Sequence, residues 1–582
     1  MGKNSNTALS VIAPVDFNFE CSELFYFLSS SGNYRYMSFL DSSLLPNKYS
    51  KYSYLLFEPC FAVRASKRFG EIIYPGKSNL IMDNTFTNNP GNINDFLDYF
   101  TASHISKNSS GKYYVNDNIC LNSTEENNVK KIIFSDKPHV FLKNVLKICN
   151  YKENAKYYYE NGKLTSSARS LIKSSLPDFT GGLAGFISYD YKNYLEKLPK
   201  TAKDDQELPV FYFLHFCRFL AFSHQLNKWF IIKNYNINAD FYNRKNSIYK
   251  ARTKILEPGI EKCISGDMEE TMERIKNIIN SKNFLSKDKI FKHIARKYGC
   301  QKTAKLDLRS NLNKDEYKKA VNIAKKYIHE GDIYQVNMTQ RFKCSLEVEP
   351  YDLYFILRTR NAAPFSAYLS FPDVKIGSSS PERFLFLKKD KIHTRPIKGT
   401  RPRGKNATQD AFLKNELKNS IKDHAELNMI VDLERNDLGK FCKYGTVKVK
   451  EHAVVEKYAK VFHLVSTVTG KVQHGYDIAD ILKATFPGGS ITGAPKIRAM
   501  EIIDELENIT RGVYTGAIGY IGIDGTMDLN IVIRTFVIKN KIFYYNVGGG
   551  IVEDSSAEEE YQETLDKGLA LKETLEYFTG SS

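Results

Sequence analysis

The chain has 582 residues, 42% of them hydrophobic, with 37 Tyr and 37 Phe, which excludes a chain disordered throughout and supplies one or more large cores. The formal net charge is +17. The lysines are scattered among acids without zinc-finger, homeodomain or RNA-recognition spacing, so no nucleic-acid partner is expected. Nine cysteines without a CxxC pair read as reduced thiols of a cytoplasmic compartment. The N-terminus is a poor signal peptide, and no apolar run reaches the roughly 20 residues of a membrane helix, so no membrane partner is expected either.

In chain order, residues 1–235 alternate short β-like runs with turns, such as "KYSYLLFEP" (51–59) and "GGLAGFISYDY" (181–191). Residues 209–232 read as two strands around a polar turn. Residues 236–312 are lysine-rich with weak helical patterning and read as a linker or insertion. A second unit, 313–582, opens on a helix with Asn313 as N-cap and Gly331 at its end. Strands follow, then one helix carrying "DAFLKNELKNSIKDHAELNMIVDL", another carrying "APKIRAMEIIDELE", three β-runs and a last helix. Strands grouped with helices, rather than strict alternation, predict an α+β fold with layered sheets.

Three constellations carry candidate chemistry. "PERFLFLKKDKIHTRPIKG" predicts a hairpin turning at 388–391, with Glu382 opposite Ile397 and hence beside Lys398. By itself this reads as a surface ion pair, although both residues lie at the open end beside Ser- and Gly-rich turns. Asp423 and Glu426 are three residues apart, as are Glu560 and Glu563, so each pair shares a helix face. Either pair alone is an ordinary acidic face; together they suit magnesium. "PGGSITGAPK" (487–496) is not a nucleotide P-loop, because Ala494 and Pro495 separate Gly493 from Lys496. "NVGGGIV" (546–552) permits close backbone approach to a ligand, or a bulge.

Taken in order, "EGDIYQVNMTQRF", "GSSSPERF", "PIKGTRPRG", "DHAELNMIVDLERNDLGK", "FPGGSITGAPKIRAMEIIDELE", "GAIGYIGIDG", "NIVIRT" and "GGGIVEDSSAEEEYQET" closely resemble the chorismate-utilising family, which includes component I of anthranilate and aminodeoxychorismate synthases. The resemblance is dense over 312–577 and looser over 1–235, an N-terminal region like that of anthranilate synthase component I. It implies two packed β-sheets flanked by helices, with chorismate and magnesium between them. It implies Glu426 and Glu563 as direct magnesium ligands, with Asp423 and Glu560 acting through water, and Glu382 as general acid/base. Tyr520, Arg534, Lys567 and the backbones of Gly548 and Gly550 would hold substrate carboxylates. Gly399, Thr400, His463 and Ser490 would contact the ring.

Within the family, Gln335 stands where water-adding members have a base lysine, and "PIKGT" stands where anthranilate synthases typically read P-I-A-G-T. Ser490 leans the same way. These residues point to the branch that aminates chorismate at C4, the aminodeoxychorismate synthases of folate and 4-aminobenzoate biosynthesis. Lys398 would be the covalent nucleophile, neutral beside a protonated Glu382. Anthranilate synthase component I is the alternative. No G-x-C-x-G glutaminase elbow is present, so the chain is expected to use ammonia itself and glutamine only through a separate glutamine amidotransferase subunit. "RNAAPFSAYL" (360–369) departs from the family's Asn-Pro at Ala362, near the family's tryptophan pocket, whose other wall would include the stretch around Ser53.

Overall fold

The structure, a computed structural model, describes residues 7–74 (without 18, 33, 44–50 and 68), 105–107, 113–115, 122–126, 129–134, 137–149, 153–160, 163–165, 177–236, 258–280, 285–299 and 306–579 (without 459 and 460). Two large sheets pack face to face with helices on their outer faces, the expected α+β arrangement. Strand alternation builds the layers. On Gly182–Ile187, Leu183 and Ile187 join the outer core beneath the helices, while Ala184 and Phe186 join the core between the sheets.

Both sheets are continuous across the expected domain boundary. Met37–Asp41 pairs with Phe365–Ser370 in one, and Gly182–Ile187 pairs with Ala517–Gly522 in the other. Residues 1–235 and 313–582 therefore share their sheets rather than forming separate domains. The expected linker is also corrected. Pro258–Asn280 and Lys287–Tyr298 are helices whose Ile264, Met268, Ile290 and Ile294 are buried in the same core as Phe25 and Phe355. Lys297 and Tyr298 reach the buried Asp352 at 2.9 and 2.8 Å. The lysine-rich composition reflects only the outer faces; the apolar residues recur on one face at i and i+4. Residues 237–257 of that stretch lie outside the described residues.

Residues 209–232 form three strands rather than two: Phe211–Phe216, Arg218–Ser223 and the start of Lys228–Asn236. The chain changes sheet at Cys217. Strands buried on both faces read as one apolar run, so nothing in the hydrophobic pattern marks the joint. The same happens between Met527–Ile531 and Thr535–Lys539, where Arg534 takes a φ of 52°. The helix at 314–329 begins as expected: Asn313 accepts from the Glu316 N–H at 2.9 Å. The single helix expected across 410–433 is two, Ala407–Asn419 and Ile421–Gly439. Ser420 ends the first and caps the second, its hydroxyl accepting from the Asp423 N–H. The break puts Asp423 and Glu426 in the opening turns of the second helix. Among the described residues, no helix is long and apolar enough to cross a membrane.

Candidate active site

Lys398 lies on Ile397–Pro402, which continues Lys391–Arg395 along the same partner strand, Val461–Lys471. The register shifts between Lys398 and Thr400, and Gly399 there has a φ of 71°. Glycine is needed twice over: a Cβ would also sit 2.9 Å from the Asp423 carboxyl. The Lys398 amine is 3.4 Å from Glu426 Oε2. It also faces the strand Ile542–Ile551, 3.1 Å from where a Cβ on Gly550 would lie.

That strand supports a second pair of carboxylates on the helix Ala557–Thr579. A Cβ on Gly549 would be 2.7 Å from Glu560 Oε2 and 3.6 Å from Glu563 Oε1. The three glycines form a regular ladder with Asn337, Met338 and Thr339, not a bulge, so their role is close approach. Glu560 Oε1 accepts from Ser555 at 2.6 Å, while its buried Oε2 has no donor among the described residues. Burial, joined by the charge of Glu563, raises the Glu560 carboxyl above its ordinary value. Burial also opposes charge on Glu563, but Lys567, Lys398 and Lys422 outweigh it and hold that carboxyl low. Lys567 bonds Glu563 at 2.6 Å and the Gly548 carbonyl at 3.0 Å. Asp423 is held by Arg401 at 3.1 Å. The two helical pairs thus converge, and Lys398 stands with them.

Glu382 precedes the hairpin strand Arg383–Lys388, whose two-residue turn falls where expected, with Lys388 opposite Lys391. A register shift between Arg383 and Phe386 moves the open end by one residue, so the expected pairing of Glu382 with Ile397 is not kept in the ladder. The Ile397 N–H and the Ser490 side chain nevertheless lie near the Glu382 carboxyl and favour its charged form. Burial pushes the Glu382 carboxyl up to about 7, with the nearby Glu434 adding to it and Lys398 opposing. The ion-pair partner of Lys398 is Glu426, not Glu382 as the sequence suggested.

His463 is buried and bonded to Thr400 at 2.9 Å. Burial, then the charge of Arg534, push its imidazole down to about 3, so it is neutral at any working pH. Arg534 faces Glu382 and His463 without an ion pair to a carboxylate among the described residues, leaving its guanidinium available to an anionic ligand.

Sequence reasoning missed the supporting residues. Asn337 donates to the Ser490 carbonyl at 2.8 Å. Gln335, already singled out in the sequence, is fully buried, and its Oε1 has no donor among the described residues. Lys496 is bound to Asp437 and to the carbonyls of Thr485 and Pro487, so it braces its own loop. Glu434, raised to about 7 by burial and Asp437, accepts from the Gly489 N–H at 3.0 Å. Arg511 is buried, pairs with Glu507 at 2.7 Å, and donates to the carbonyls of Ile491 and Asn337. Glu507 in turn accepts from the Thr339 N–H. Arg511→Met should therefore destabilise the fold by about 3–5 kcal/mol, because it leaves Glu507 buried and uncompensated. Denaturant unfolding of the two proteins measures it; a loss under about 1 kcal/mol would contradict that role.

A profile of the chorismate binding enzyme family matches residues 118–573. The chain belongs to that family. It is 39% identical over 400 residues to the aminodeoxychorismate synthase component 1 of Bacillus subtilis, covering 69% of this chain and 78% of that protein. It is 35% identical over 435 residues to the anthranilate synthase component 1 of Aquifex aeolicus, covering 73% and 82%. The anthranilate synthase component I of Streptococcus pneumoniae TIGR4 shares the fold, with a TM-score of 0.60, 24% identity, and coverage of 95% of this chain and 98% of that one. The menaquinone-specific isochorismate synthase of Escherichia coli does so with a TM-score of 0.55, 13% identity, and coverage of 98% and 95%.

One expected substrate residue of this chorismate-binding enzyme is not with Lys398. Tyr520 packs against Tyr54 and Phe179 at 5.8 and 4.6 Å. It lines a different cavity, of about 260 Å³, with Asp41, Ser42, Tyr52, Pro364, Arg383 and Asp528. On its strand Tyr520 shares the inter-sheet face with Ile518, so alternation sends it there. The 360–369 stretch borders this cavity as expected. Ser53 does not line it: its neighbours Tyr52 and Tyr54 do, while Ser53 bonds Asp41 and His224.

Proposed function

We propose that the chain is an aminodeoxychorismate synthase component I, converting chorismate and ammonia to 4-amino-4-deoxychorismate for 4-aminobenzoate and folate synthesis. The observation that carries this reading is the placement of the Lys398 amine. It stands among four carboxylates, opposite Gln335 and Gly550, where an anthranilate-type alanine would offer no nucleophile. Comparable identity to anthranilate synthases keeps C2 amination as the second reading.

The four carboxylates fit magnesium. They are hard oxygen donors on two helices, and one buried oxygen, Glu560 Oε2, lacks a partner among the described residues. Glu426 and Glu563 would hold the ion, with Asp423 and Glu560 acting through water; bound there, it would draw electron density into the ring carboxylate of chorismate. Glu426, the ion-pair partner of Lys398, would be one of the ion's ligands. Glu426→Ala or Glu563→Ala should raise the magnesium needed for half-maximal turnover by at least ~10-fold, with circular dichroism unchanged. A variant with wild-type magnesium dependence would remove that residue from the ligand set.

In the first step Lys398 Nζ bonds to C2. The ring double bonds shift toward C4, the C4–O bond breaks, and Glu382 protonates the departing hydroxyl to water. Ammonia then bonds to C4, the double bonds shift back, and the C2–Nζ bond breaks. Gln335 cannot deprotonate water, but its buried oxygen, without a donor among the described residues, could accept from an ammonia N–H. His463 and Arg534 complete the wall, the arginine suited to a substrate carboxylate. A separate glutamine amidotransferase would supply the ammonia. Mass spectrometry of enzyme mixed with chorismate and magnesium, without ammonia, should find an adduct on the peptide containing Lys398. An unmodified peptide under turnover-competent conditions would remove the covalent step.

A further inference from the structure

Apart from this site, one tight cluster of ligating side chains stands out: Cys60, His215 and Cys217, whose Sγ and ring nitrogen atoms all lie within 4.8 Å of one another. It is the one such group of three His, Cys, Asp or Glu side chains among the described residues. The fold builds it from two chain crossovers. Cys60 joins Tyr52–Phe57 to Phe61–Ala65, and Cys217 joins Phe211–Phe216 to Arg218–Ser223. In both cases the chain passes from one sheet to the other. The Cys60 N–H donates to the His215 carbonyl at 2.8 Å, and the Asn234 N–H to that of Cys217 at 2.7 Å, so both crossovers are fixed. The His215 ring is buried and stacked on Phe61, with centroids 4.6 Å apart and planes at 7°.

We propose that Cys60, His215 and Cys217 bind one thiophilic divalent cation of the zinc type, clamping the two crossovers together. Cys217 Sγ is 3.6 Å from His215 Nδ1. A tetrahedral zinc ion with Zn–S of about 2.3 Å and Zn–N of about 2.1 Å separates S from N by about 3.6 Å. Two thiols and an imidazole select zinc over magnesium, which prefers oxygen. Binding displaces two thiol protons, so two thiolates and the dication sum to zero charge, suited to a half-buried site. Cys60 is exposed, and water would be the fourth ligand. None of the three residues belongs to the Lys398 site, so the proposal stands apart from the catalytic reading.

The test is titration of reduced, metal-stripped full-length protein with cobalt(II). One equivalent should bind with a thiolate-to-cobalt charge-transfer band and tetrahedral d–d bands, and zinc should displace it. Cobalt at the carboxylate site has no thiolate ligand and gives no such band. Cys60→Ser and Cys217→Ser should each lose the band and weaken zinc binding by more than roughly 10–100-fold, the cost of losing only a ligand's supporting partner. Both should keep wild-type turnover with chorismate, ammonia and magnesium. Zinc should raise the unfolding temperature of the wild type alone. No charge-transfer band in the wild type, a band surviving in both variants, or a Cys60–Cys217 disulfide that excludes cobalt even under reductant would each overturn the proposal.

Discussion

Lys398→Ala is expected to lower C4 amination of chorismate by at least ~10³-fold and to abolish the adduct, because it removes the proposed nucleophile. Lys398→Arg should not rescue it. A guanidinium stays protonated and cannot attack, although it could still pair with Glu426. If Lys398 only neutralised the carboxylates, arginine would retain a good part of the rate. The alanine variant opens space next to ring C2 and is expected to divert the residual reaction there, giving traces of anthranilate. Single-turnover rates of both variants, with product identification, distinguish nucleophile from electrostatic partner.

Glu382→Gln should cost about 10²–10⁴ in the rate of adduct formation, the usual range for a positioned acid. The pH dependence has a definite sign. In the proposed mechanism Lys398 attacks as the free amine while Glu382 gives up its proton, so the two react with one proton between them. Glu382 is raised from 4.5 to about 7, so below about pH 7 a second proton enters the pair and the amine can no longer be neutral beside a protonated acid. Adduct formation should therefore fall as pH drops below about 7. The break should vanish in Glu382→Gln. A break that survives there would belong to Glu434, whose carboxyl burial raises to a similar value.

What the sequence could show divides along physical lines. Local signals were legible: the Asn313 cap, the turn after Lys388, and the i, i+3 carboxylates on two helices. Each depends on residues within one turn of one another. Changes of sheet were not legible. At Cys217 and Arg534 the chain crosses between layers inside apolar runs, and a strand buried on both faces carries no alternation to mark the crossing. The Ser420 break was available in principle from Asn419-Ser420, both good caps, but the helical pattern runs through it. Tyr520 was misplaced because its assignment ignored which face of its strand it occupies. Arg511 and Glu507 form a buried pair just beyond a helix end, and nothing in the sequence marks it until their partners on Gln335–Ser345 are seen.

The central claim is that this chorismate-binding enzyme places nitrogen at C4. The most direct measurement is the product formed by the purified chain from chorismate, magnesium and ammonium, separated by chromatography and identified by mass. The account predicts 4-amino-4-deoxychorismate, with its enolpyruvyl group retained and no pyruvate released. Anthranilate with an equivalent of pyruvate from the wild-type chain would contradict it.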